Sequence, residues 1–120
     1  FAMVRDALDE ARASSPIDGV FATDDLAAAE VLEWARTREL SVPTDLSVIG
    51  FDGTETMRRA LPHLATIRQP IAAIAQEAVS ILLDQIEGKA PRPSSDEAGA
   101  PHAQTVEFPG TLIPGRSINA

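Results

Sequence analysis

Residues 41–53 read SVPTDLSVIGFDG, and the fold turns on this stretch. Pro43, Thr44 and Asp45 are turn residues. From Leu46 to Phe51 the chain is nearly all apolar, as a central parallel strand covered on both faces requires; a half-buried strand would alternate. The run stops at Asp52 and Gly53. Upstream, residues 25 to about 39 repeat apolar side chains at helical spacing, and VFAT before them, with its β-branched and aromatic residues, reads as a buried strand. The turn SSPIDG precedes that strand, and a helix over 3–13 precedes the turn, with Phe1, Val4, Leu8 and Ala11 in three- and four-residue steps. Downstream, TETMRRALPHL reads as a short helix ended by Pro62, and ATIRQ as a third strand. Pro70 then opens a helix to about Glu87, in which Ile71, Ile74, Ala75, Ala78, Ile81, Leu82 and Ile86 form one apolar face and Gly88 is the stop. Strand alternating with helix predicts an α/β fold, a parallel sheet flanked by helices through right-handed crossovers.

Beyond that helix the pattern fades. Residues 89–104, KAPRPSSDEAGAPHAQ, are rich in Pro, Ser, Gly and Ala and read as a flexible loop. The tail over 105–120 is extended and interrupted by Pro109 and Pro114, so an edge strand is the most it can form. The 120 residues suffice for one small core. A net charge of −8, with ten scattered Lys and Arg, argues against a nucleic-acid surface on this segment. Cysteine is absent, which excludes disulfides, thiolate metal sites and a Cys nucleophile. His63 and His102 are too few and too far apart for a zinc site, and no metal or cofactor is expected. No apolar run approaches the roughly 20 residues that span a membrane, and the first residues lack the pattern of a secretory signal. A reducing cytoplasm is the expected setting. The chain does not start with Met, and it is expected to be part of something longer.

In parallel sheets ligands bind beyond the carboxyl ends of the strands. Three strands here end in polar groups: VFAT in Asp24 and Asp25, SVIGF in Asp52, and ATIR in Gln69. Carboxylates and an amide gathered without a basic cluster suit a neutral, polyhydroxylated ligand, because a carboxylate accepts two hydroxyl hydrogen bonds that are about twice as strong as neutral ones. The same acids would repel a phosphate. Simpler roles compete. Asp25 reads as the cap of the following helix, Asp52 before Gly53 suits a turn, and Gln69 beside Pro70 could serve the backbone. Trp34, in mid-helix, reads as a packing residue, with stacking on a sugar as the alternative. The helix carries a second apolar flank, Ala27 and Trp34, beside the stripe Ala28, Val31, Leu32 and Ala35. An ordinary surface helix needs only one, so a second subunit is expected there.

Three stretches resemble, in order and spacing, the C-terminal part of LacI-family transcriptional regulators: DGVFATDDLAAAEVLEWARTRELSVPTDLSVIGFDG, LPHLATIRQPIAAIAQEAVSILLDQIEG and FPGTLIPGRS. The resemblance implies that residues 1–120 are the C-terminal subdomain of a periplasmic-binding-protein-like effector domain. It implies a sugar-like effector held by Asp24, Asp52 and Gln69, with Asp25 as cap or secondary site. It also implies a homodimer, with Ala29 and Trp34 at the interface, and operator DNA bound only by an N-terminal helix-turn-helix that these residues do not include. Departures are Glu30 where the family usually has Gly, Gly53 where a second Asp is common, and Gly115 where the family's Arg aligns, with Arg116 one place on. The expected role is effector sensing for a repressor. A periplasmic sugar-binding protein of a transporter shares the fold and is the first alternative; a hydrolase using Asp24 and Asp52 is the second, and no nucleophile elbow, Walker loop or dinucleotide fingerprint supports an enzyme.

Overall fold

The computed structural model describes residues 2–89 and 105–119. Its elements run α1 (Ala2–Ser14), β1 (Gly19–Phe21), α2 (Asp25–Thr37), β2 (Ser47–Asp52), α3 (Glu55–Ala60), β3 (Ala65–Arg68), α4 (Ile71–Ile86) and β4 (Thr111–Ile113). The strands form one sheet in the order β1-β2-β3-β4, the first three parallel and β4 antiparallel along the edge of β3. Asp52 stands beside Arg68 in the register. The α/β fold expected from the stretch at 41–53 is the observed one. Apart from Lys89, the segment 89–104 and its His102 lie outside the described residues.

The chain divides into two compact units, Phe1–Gln69 with Gly110–Ala120, and Pro70–Pro109. In the first, α1 and α2 cover one face of the sheet. Val48 and Gly50 of β2 are buried there with Ala28, Val31, Trp34 and Ala35 of α2, while Val4 and Leu8 of α1 pack against the same core. In the second, Pro70 is the N-cap of α4, at φ −81° and ψ 63°, and its carbonyl accepts the Ile74 N–H at 3.0 Å. The helix ends in a Schellman turn: Gly88 takes φ +68°, its N–H reaches Gln85 O, and Lys89 N–H reaches Asp84 O at 2.9 Å.

Trp34 is a packing residue, as its place in mid-helix suggests, and its expected place at a subunit interface is corrected: it is 1% exposed within this chain. The second apolar flank of α2 is apolar because α1 folds back over it, which helical periodicity alone cannot reveal. The Trp34 indole N–H donates to Asp9 Oδ1 at 2.9 Å, and Arg12 lies 5.9 Å from the ring centroid. Burying a side chain of this size contributes roughly 4–6 kcal/mol. Arg38 also bonds Asp9, through Nε at 3.1 Å, and Arg5 pairs with Glu30 at 3.0 Å, so the unusual Glu30 serves the α1–α2 seam. These exposed ion pairs add about 0–1 kcal/mol each. The helix read to about Glu39 ends at Thr37, because Glu39 turns left-handed at φ +57° and forms a second Schellman turn, with Leu40 N–H on Ala35 O at 2.9 Å.

The start of the sheet is closed from far along the chain. Ser117, 4% exposed, donates through Oγ to Val48 O at 2.6 Å and accepts the Ala65 N–H at 2.8 Å. The register of the tail is fixed next to it. A Cβ at Gly115 would lie 2.4 Å from Ala65 N, so no side chain fits there, and the arginine stands at 116, 2.9 Å from both ring nitrogens of His63.

Candidate functional site

Asp24, Asp52 and Gln69 all lie at the carboxyl edge of the sheet, and the backbone accounts for their placement. Asp24 is extended, at φ −155° and ψ 169°, and its Oδ1 accepts the Ala27 N–H at 2.7 Å. It is the N-cap of α2, satisfying one of the open amides of the first turn. The sequence reading gave that role to Asp25 and is corrected: Asp25 is the first residue inside the helix. Its carboxylate, 2% exposed, accepts Gly53 N–H at 2.9 Å and Thr66 Oγ1–H at 2.5 Å. One buried side chain thereby joins α2 to the end of β2 and to Thr66 of β3.

Asp52 and Gln69 meet directly. Gln69 Nε2 donates to Asp52 Oδ1 at 2.6 Å, and Gln69 N–H donates to Asp52 O at 3.3 Å. Asp52 holds φ +107°, a region that costs a side-chain-bearing residue of order 1–3 kcal/mol. Gly53 follows at φ +61°, and a Cβ there would lie 2.9 Å from Arg68 Cα. The aspartate common at this position in the family has no room in this chain, since Arg68 backs the turn and its Nε bonds Gly53 O at 3.3 Å.

The edge therefore offers two half-buried carboxylates and an amide, with Oδ2 of Asp24 and of Asp52 unbonded among the described residues. Such groups accept hydroxyl protons. The Phe21 and Phe51 rings meet edge to face nearby, with centroids 6.2 Å apart. Reading the sequence missed two contributors. Arg68 carried a usable signal, its place one residue before Gln69 on the same strand; the link from Asp25 to Gly53 spans 28 residues and carried none. A separate concavity of about 590 Å³ opens at the other end of β3, lined in part by Leu32, Leu61, His63 and Arg116, and shares no residue with this edge.

Residues 1–118 match the family model of the periplasmic binding protein-like domain. The chain belongs to that family. Its relatives are LacI-type transcriptional regulators. The sucrose operon repressor of Pediococcus pentosaceus is 47% identical over 70 residues, which is 58% of this chain and 22% of that protein. Among solved structures, the transcriptional regulator CelR in complex with cellobiose superposes with a TM-score of 0.72 at 28% identity, over 97% of this chain and 32% of that one. A LacI family regulator from Arthrobacter sp. FB24, in complex with lactose, gives 0.69 at 27% identity, over 97% and 40%. The chain thus spans about a quarter of the length of the curated relatives it matches.

Proposed function

We propose that this domain is the C-terminal half of a sugar-sensing module in a transcriptional repressor, and that Asp24, Asp52 and Gln69 bind the sugar hydroxyls. The observation that carries this reading is the Asp52–Gln69 pair, a carboxylate and an amide 2.6 Å apart at adjoining strand ends. A carboxylate with one oxygen held by an amide and the other open is prepared to accept from a hydroxyl, with no rearrangement of its own. The names of the relatives support a sugar, since they include a sucrose operon repressor and complexes with cellobiose and lactose. They also favour a regulator over a transport protein or a hydrolase. Among the described residues no helix is long and apolar enough to cross a membrane; a cytoplasmic setting follows from a repressor's need to reach DNA.

In this reading the intact protein is a homodimer whose operator grip comes from an N-terminal headpiece. The sugar acts by favouring one arrangement of the effector domain, and it can shift the balance only by its differential affinity for the two. Ala29, half-buried on α2, belongs to the surface that meets the second subunit. Light scattering of the intact protein tests this, and a strict monomer refutes it.

The decisive experiment is calorimetric titration of the intact protein with neutral mono- and disaccharides, sucrose, maltose, cellobiose and lactose among them, beside their phosphates. A neutral sugar is expected to bind and its phosphate to be rejected. Asp52→Ala should remove binding and operator release while the protein stays folded, since losing a charged hydrogen-bond partner costs about 1.5–3 kcal/mol per bond. Unchanged induction in Asp52→Ala would remove that residue from the site.

A further inference from the structure

We propose that Asp25 is a positioning residue for the effector site, holding the Asp52–Gly53 peptide in the orientation that presents the Asp52 carboxylate; this rests on the reading of Asp52 as a sugar ligand. The peptide in question is held from both sides. Its N–H, that of Gly53, donates to Asp25 Oδ2 at 2.9 Å, and its carbonyl, that of Asp52, accepts from Gln69 N–H at 3.3 Å. A peptide plane bonded at both ends cannot rotate without breaking one of them. The conformation being held is one that side-chain-bearing residues rarely adopt, φ +107° at Asp52. Left to itself, Asp52 would relax toward negative φ, and its carboxylate would swing off the Gln69 amide.

Capping does not account for Asp25. The helix cap is supplied by Asp24. A position 2% exposed in a small core is ordinarily apolar, because burying a carboxylate is costly unless its hydrogen bonds are made. Here both oxygens are used, one on Gly53 and one on Thr66, and Gly50 leaves the room: a Cβ there would lie 2.4 Å from Asp25 Oδ1. Through these contacts Asp25 ties the first turn of α2, next to Asp24, to the end of β2 at Gly53 and to Thr66 of β3.

The test uses the intact protein and the sugar that the wild type binds best in the titration above. Asp25→Ala frees the peptide; if the binding-competent turn is then populated about one-tenth of the time, apparent affinity falls about tenfold. Thr66→Val breaks only the other arm, and its affinity should stay within about threefold of wild type even though its melting temperature drops. Asp25→Asn should restore affinity, because its carbonyl oxygen can accept from Gly53 while its amide donates to the Thr66 hydroxyl. Should Asp25→Ala fail to fold, Asp25→Ser takes its place, with a hydroxyl too short to reach Gly53 and the same loss expected. Wild-type affinity in the folded Ala or Ser variant overturns the proposal and leaves the functional reading standing, as does an equal loss in Thr66→Val. A wild-type protein that binds none of the sugars overturns the functional reading and this proposal with it.

Discussion

The indole of Trp34 donates to the carboxylate of Asp9 across the seam between α1 and α2, at 2.9 Å. That bond, followed by the Arg38 guanidinium, holds the Asp9 carboxyl below the usual carboxylate range. A depressed folded pKa stabilises the fold above the unfolded value and loses that stabilisation as pH falls through the folded one. Thermal midpoints should therefore decline below about pH 4, and Asp9→Asn should decline less steeply. A smaller slope remains in that variant because Glu33 is lowered as well, first by its hydrogen bond from Arg36. Superimposable acid limbs for wild type and Asp9→Asn would refute the assignment.

Gly50→Ala places a methyl group where Asp25 Oδ1, Leu64 Cδ2 and Ala28 Cβ already stand, at 2.4, 3.1 and 3.4 Å. Asp25 cannot move aside without giving up its bonds to Gly53 and Thr66. Overpacking of this kind costs about 1–3 kcal/mol, and the loss here should fall at the upper end of that range. Urea denaturation measures it, and a cost below about 0.5 kcal/mol would mean that the core yields at this point.

How much of this could be read from the sequence follows from the range of each interaction. Periodicity and turn residues act over a few positions, so β2 from SVIGFD, β3 from ATIR and the stop at Gly88 were legible, and with them the sheet edge where Asp52 and Gln69 lie. The pair Asp24–Asp25 was legible as holding the cap of the following helix, but which of the two caps it was not. That depended on the helix phase, which aims Asp25 at Gly53 and Thr66. Trp34 was legible as a packing residue but not what it packs under: its partner Asp9 lies 25 residues away, and an apolar flank covered by α1 has the same spacing as one covered by a second subunit.

Asp52→Gly separates stability from binding at one position. Glycine removes a strain of about 1–3 kcal/mol at φ +107°, against about 0.5–1 kcal/mol of added backbone entropy and the lost bond to Gln69. The relieved strain and the two losses are of similar size, so the melting temperature should stay close to that of wild type while sugar affinity disappears. A variant that melts well below wild type would show that the bond to Gln69 outweighs the strain.

Glu39 occupies the left-handed position of the turn that ends α2, at φ +57°, where glycine is the favoured residue. Glu39→Gly is expected to stabilise the domain by about 0.5–1 kcal/mol, the left-handed penalty less the added freedom of the unfolded chain. The denaturation midpoint should rise with an unchanged slope. A lower midpoint would imply that the Glu39 side chain stabilises the turn by means other than backbone conformation.

Ser117 bonds Ala65 and Val48 from 52 and 69 positions downstream. Until residue 117 has left the ribosome, the Val48 carbonyl and the Ala65 amide at the heart of the sheet lack their partner, and β4 has not yet been laid along β3. The helices and the first three strands can gather first, but the sheet is completed only after residues 111–117 have followed. For a nascent chain this makes the emergence of residues 111–117 a folding step, and until it happens the outer edge of β3 stays unpaired.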